Sequence, residues 1–121
     1  MPTQFLGLRS SIYPAPNLAE SKAWWTKALG IEPYFDEPFY VGFNLGGYEL
    51  GLNPAMPPMP TSITYWGVTS VPEAIESLTE EGAKVIFGPT DVGEGIVIAD
   101  LESATGEVFG IIDNPHFIPT S

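Results

Sequence analysis

Cysteine is absent from the 121-residue chain, which excludes a disulfide framework, a thiolate metal centre and a cysteine nucleophile. Histidine occurs once, at His116, so a Ser/His/Asp arrangement would rest on one imidazole near the carboxyl end, and a histidine-rich metal site is out of reach. Cations are scarce too: four Lys and Arg stand against fifteen Asp and Glu, for a net charge of −11. Such an excess repels both a phosphate backbone and an anionic membrane surface, so neither nucleic acid nor membrane is expected as a partner. No apolar run approaches the roughly 18 residues that span a bilayer, and the opening MPTQFLGLRS lacks the basic start and apolar core of a secretory leader, which gives the expectation of a cytoplasmic protein. Gly93-Glu94-Gly95 does not follow a strand and open a helix, as a phosphate-binding loop requires.

What is present is a globular composition, 44% hydrophobic and 12% aromatic. A chain of this size is expected to form a single domain over residues 1–121, hiding roughly two thirds of the surface its unfolded form exposes. Part of the acidity is accounted for by Glu73, Glu76, Glu80 and Glu81, which fall mainly on the wet face of one predicted helix.

Phe5 to Tyr13 has strand composition and stops at Pro14-Ala15-Pro16. Asn17 then caps a helix, with Glu20 three residues on, an apolar stripe of Leu18, Trp25, Ala28 and Leu29, and Gly30 as the left-handed stop. Strands are expected at Ile31 to Phe35 and Phe39 to Leu45 around a charged turn at 36–38, followed by a Gly46-Gly47 hairpin into Tyr48 to Leu52. The proline-rich NPAMPPMP, residues 53–60, reads as a linker between halves.

The order then recurs. Ser62 to Val68 is a predicted strand, and Ser70 caps a helix with Glu73 at the capping-box position. Its stripe is Val71, Ala74, Ile75 and Leu78, and Gly82 ends it. Strands follow at Ala83 to Phe87, Gly95 to Leu101 and Glu107 to Ile112, the last two joined by a polar turn at 103–106. The two caps lie 53 residues apart and the two stops 52. That offset predicts an α+β fold of two βαβββ modules, at about 4–53 and 61–113, forming curved mixed sheets with one helix each on the convex side and a hollow on the other.

The motifs PAPNL, AESKAWWTKALGIEPYF, FNLGGYELGLNP, TSVPEAIESLTEEGAKV and SATGEVFGIIDNPHF together span nearly the whole chain. In these stretches the sequence resembles the vicinal oxygen chelate superfamily, which includes glyoxalase I, bleomycin- and fosfomycin-resistance proteins and extradiol dioxygenases. The closing motif is similar to the family's DPxGNxFGI pattern but has Ser103-Ala104-Thr105 for Asp-Pro-x and Glu107 for Asn. In metal-using members the resemblance implies ligands that fall here at Ser10, Glu49, Ile63 and Gly110. Only Glu49 is a good ligand, and one carboxylate does not hold a divalent cation, so no metal and no other cofactor is expected. The resemblance also implies pairing of two copies, and a homodimer is expected.

Period-two alternation places Leu6, Leu8, Ile12, Tyr65, Val108 and Ile112 beside those four positions, an apolar lining suited to a planar organic ligand. Glu49 is the candidate catalytic residue, as a general base, or else binds a cationic group. The candidate ligand-binding set is Ser10, Tyr40, Glu49, Ile63, Tyr65, Gly110 and His116, the last brought in if the tail folds over the hollow. Arg9 is the one cation expected on a strand; parity turns it toward the helix layer, and it binds an anionic ligand group or pairs with Glu49 or another acid if the strand bulges. Trp24, Trp25 and Trp66 are core residues or a stacking platform. The expected function is metal-free binding of an apolar or aromatic small molecule. The alternatives are a metal-dependent lyase or isomerase of the glyoxalase type, and a structural or regulatory dimer without a ligand.

Overall fold

Each helix begins at a side chain that accepts the backbone N–H three residues on. Asn17 Oδ1 takes the N–H of Glu20 at 3.3 Å and Ser70 Oγ that of Glu73 at 3.3 Å, which satisfies a donor the helix itself leaves open. The Glu20 carboxylate answers by accepting from the Asn17 side-chain amide at 2.8 Å. In this computed structural model, which describes residues 4–57, 59 and 61–117, the helices are α1 (Leu18–Leu29) and α2 (Val71–Glu80). Gly30 ends α1 with φ 72°, and its N–H bonds to the Thr26 carbonyl. Among the described residues no helix is long and apolar enough to cross a membrane.

The strands are β1 (Gly7–Pro14), β2 (Phe35–Glu37), β3 (Tyr40–Leu45), β4 (Tyr48–Asn53), β5 (Ile63–Gly67), β6 (Lys84–Asp91), β7 (Val97–Glu102) and β8 (Val108–Asp113). The order βαβββ therefore occurs twice, and the fold is α+β with mixed sheets. Two compact units separate: among the described residues, one takes 10–57, 59 and 61–63, the other 4–9 and 64–117.

In the first unit the strand order is β2-β3-β4-β1, with β4 antiparallel to β3 and parallel to β1. Val41, Phe43 and Leu52 point to one face and pack with Ala15 against Leu18, Trp25 and Leu29. Ala28, expected in that stripe, is exposed. Alternation sends Tyr40, Gly42, Glu49 and Gly51 to the face without a helix, consistent with the pairing of Gly42 to Gly51. In the second unit the order is β5-β8-β7-β6, again with one parallel pair, β5 and β8. Ala99, Leu101 and Ile111 pack under Val71 and Ala74 of α2, so Asp100, Gly110 and Ile112 take the opposite face.

Two strand expectations need correction. β2 starts at Phe35 rather than Ile31, and Asp36 and Glu37 lie within it, paired with Val41 and Tyr40. Pro33 has no N–H to give a ladder, while Asp36 is held by an ion pair with Lys22; the turn is Pro38-Phe39. β6 runs on past Phe87 to Asp91, with register shifts between Val85 and Phe87 and between Phe87 and Thr90. Gly88, at φ 86°, supplies the left-handed residue that lets the strand accommodate Pro89 in its bulge. Of the expected linker, residues 58 and 60 lie outside those described.

Leu101 is fully buried. Its replacement by Ala is expected to lower the unfolding free energy by about 2–5 kcal/mol, and Ser70→Ala by about 1 kcal/mol, both measured by urea denaturation.

Candidate functional site

On the helix-free face of the first unit, Glu49 is held by two phenols. The Tyr40 hydroxyl donates to Oε1 at 2.6 Å and the Tyr34 hydroxyl to Oε2. Glycines make this arrangement possible: a Cβ at Gly51 would stand 1.9 Å from the Tyr40 oxygen, and one at Gly42 would stand 2.8 Å from Glu49 Oε2 and 3.0 Å from Tyr34 Cε1. The side chains thus lie down on the strands in space that any other residue would occupy. Tyr34 is 60% exposed as a residue, but its hydroxyl is turned toward Glu49. Loss of water around it, then the hydrogen bond and charge of Glu49, push its pKa above the usual tyrosine range.

More aromatic surface borders the array. The Phe35 ring meets Tyr40 and Phe39 edge to face at centroid separations of 6.1 and 5.9 Å, and Phe39 is 65% exposed. A carboxylate has about four lone-pair sites, so two phenol donors leave capacity for donors on a ligand. Ser10 is in register with Glu49 on the parallel neighbour strand, and Ile63 is buried.

The second unit builds its own array. Tyr65 lies across Gly110, where a Cβ would come within 2.3 Å of the ring, and its hydroxyl donates to Asp100 Oδ1 at 2.5 Å. Tyr65 is 5% exposed; burial first, then the bond to Asp100 and its charge, raise its pKa beyond the usual range. Burial also raises the Asp100 pKa, partly opposed by the Tyr65 hydrogen bond. His116 is exposed, with Nε2 2.9 Å from the Glu94 carbonyl, so the imidazole caps the 92–96 turn. Of the expected apolar lining, Ile112 is buried, while Leu6, Leu8 and Val108 are exposed.

Arg9 departs from its expected position. Its guanidinium lies against Gly67, where a Cβ would stand 2.7 Å from both Cζ and Nε. Gly67 is in register with Ile112, so Arg9 shares the Tyr65 face and not the helix layer. The strand opens at Gly7, whose φ is 120°. Among the described residues Arg9 makes no ion pair; the one salt bridge is Lys22 with Asp36. Trp25 stacks on Tyr13 at 5.6 Å within the core, whereas Trp24 is 63% exposed. Trp66, with Phe5 and Phe109, lines an apolar depression of about 360 Å³.

The four positions where the resemblance implies metal ligands do not fit a divalent cation. Ile63 offers hydrocarbon and Ser10 a neutral hydroxyl, which leaves Glu49 as the one anionic donor of the four. At Gly110 the space a ligating side chain would need is filled by Tyr65. Among the described residues no group of three or more His, Asp or Glu is arranged to hold an ion. Tyr34 and Asp100 are the partners that sequence reasoning missed; an acid between Ala99 and Leu101 on an apolar strand was the available signal for Asp100.

A raised Asp100 pKa means that the folded state holds this proton more tightly than the unfolded chain does. The stability it contributes is complete below the ordinary value of 3.8 and is lost as pH rises through the folded value. Asp100→Asn, which cannot ionise, is therefore expected to gain stability relative to the parent between about pH 3 and pH 7, as read from urea unfolding at several pH values; parallel curves would contradict the burial of this pair.

No protein-family model and no curated protein matches the chain. Solved structures do. Methylmalonyl-CoA epimerase in complex with methylmalonyl-CoA and NH4+ aligns over 98% of this chain and 100% of its own, with TM-score 0.73 and 12% identity. NAD-dependent benzaldehyde dehydrogenase from Legionella pneumophila aligns over 86% and 96%, with TM-score 0.68 and 17% identity. Homoprotocatechuate 2,3-dioxygenase from Brevibacterium fuscum, in complex with 3,4-dihydroxyphenylacetate, aligns over 99% of this chain and 39% of its own, with TM-score 0.68 and 16% identity. Their names denote three different activities, so the likeness speaks for the scaffold and leaves the chemistry to the side chains. By that likeness, and by its doubled βαβββ order, the chain has the fold of the vicinal oxygen chelate superfamily.

Proposed function

We propose that the protein binds a small planar, apolar or aromatic molecule without a metal ion, and that Glu49 orients it. The observation that carries this reading is the Tyr34–Glu49–Tyr40 array, a carboxylate fixed by two phenols over Gly42 and Gly51 and bordered by Phe35 and Phe39. Aromatic edges and faces supply contact area at low entropic cost, and one well-held acceptor supplies direction. A ligand with an N–H or ammonium group matches this combination, because the carboxylate accepts from it while the rings accommodate its flat body. Scaffolds of this fold take up small organic molecules: among proteins of similar structure, one is complexed with methylmalonyl-CoA and another with 3,4-dihydroxyphenylacetate.

In this reading Glu49 acts by accepting hydrogen bonds. Tyr40 and Tyr34 keep its carboxylate in one orientation, so little freedom is lost when the ligand arrives. Ser10, in register with Glu49, and the buried Ile63 belong to the same unit. Tyr65, Gly110 and His116 belong to the other unit, where Tyr65 is the oriented polar group. The protein works as a homodimer, the closed arrangement most common for such chains.

A thermal-shift panel of aromatic amines and aminopyridines tests the proposal. A ligand at a hundred times its dissociation constant should stabilise the protein by about 2.7 kcal/mol. Glu49→Gln should weaken that ligand by about 1.5–3 kcal/mol and Tyr40→Phe by about 1 kcal/mol. Unchanged affinity in Glu49→Gln would sink the reading, and stoichiometric divalent metal in protein purified without chelator would favour the lyase or isomerase instead.

A further inference from the structure

Arg9 is the only arginine in a chain with fifteen acidic residues, yet among the described residues no carboxylate lies within 4.0 Å of it. It is half-buried and held in place. The distances from a notional Gly67 Cβ to Cζ, Nε and Nη2 are 2.7, 2.7 and 2.9 Å; near-equality of the three means that the guanidinium presents its flat face to the strand. The Phe117 ring stands 3.8 Å from Cζ in a cation–π contact, and Nη1 donates to the Leu8 carbonyl at 3.0 Å. Both the plane of the group and one of its nitrogens are thereby fixed.

The Nε and Nη2 side of the fork has no hydrogen-bond partner among the described residues. Two parallel N–H donors on a fixed planar edge match the two oxygens of a carboxylate. We infer that Arg9 is a recognition point for the carboxylate of a small planar acid, whose flat body extends along the face of β5 and β8 beside Tyr65. Gly67 and Tyr65 are two residues apart on β5 and so share that face. A singly charged carboxylate is favoured over a phosphate ester because the −11 chain opposes entry of a more highly charged anion. This assignment rests on residues of one unit and is independent of the Glu49 reading, which is probed with amines.

A lone arginine gives one assignable Nε–H peak in a proton–nitrogen NMR spectrum. Titration of the intact protein with sodium benzoate at constant ionic strength should move that peak saturably, and benzamide, the neutral isostere, should not. Arg9→Met should bind benzoate at least about tenfold more weakly, with folding checked by circular dichroism; Arg9→Lys, which keeps the charge and loses the fork, serves the same comparison if the Met variant does not fold. A peak indifferent to benzoate, an equal response to benzamide, or unweakened benzoate binding in the variant overturns the inference. A stronger response to inorganic phosphate than to benzoate overturns the preference for carboxylates.

Discussion

The polar groups of this protein depend on missing β-carbons. Gly42, Gly51, Gly67 and Gly110 sit in strands, and at each a Cβ would come within 2.8 Å of an overlying side chain. None of the four has the positive φ that demands glycine. What they supply is depth, which lets Glu49, Tyr40, Arg9 and Tyr65 lie flat against the backbone instead of standing upright from it. A glycine inside a strand costs stability relative to alanine, about 0.5–1 kcal/mol each, and here that cost is matched by fixed orientations of chemically useful groups.

Flat-lying groups need partners, and the partners differ between the units. Glu49 receives two phenols at a half-exposed position, whereas Tyr65 and Asp100 satisfy each other under deeper cover. The first arrangement keeps a charge accessible; the second makes ionisation of the tyrosine unfavourable and retains a donor–acceptor pair. Each stands on the helix-free face of its own unit, while Val41, Phe43 and Leu52 in one unit and Ala99, Leu101 and Ile111 in the other carry the apolar packing. Polar chemistry and core packing are separated by strand parity alone.

Much of the scaffold was legible because its signals are local. The caps at Asn17 and Ser70, the stop at Gly30 and the Gly46-Gly47 turn each declare themselves within four residues. β2 was misplaced because Asp36 and Glu37 look like turn residues until their pairing with Val41 and Tyr40 is known. The site was legible only in part. Glu49, Tyr40 and Tyr65 stand out by type and parity, but Tyr34 precedes its strand and Asp100 meets Tyr65 through a β5–β8–β7 register that no single segment encodes. Gly110 marks the limit of such reasoning. The resemblance implies a ligand at its position, and only the structure shows Tyr65 lying across it.

The dependence on absent β-carbons is tested most directly by a double-mutant cycle between Gly110→Ala and Tyr65→Ala, read as unfolding free energy in urea. With Tyr65 in place, the added methyl must displace the ring and should cost about 1–3 kcal/mol. In the Tyr65→Ala background the same methyl should be neutral or favourable by about 0.5–1 kcal/mol. Equal effects of Gly110→Ala in both backgrounds would show that the ring does not rest on the glycine, and would contradict the account.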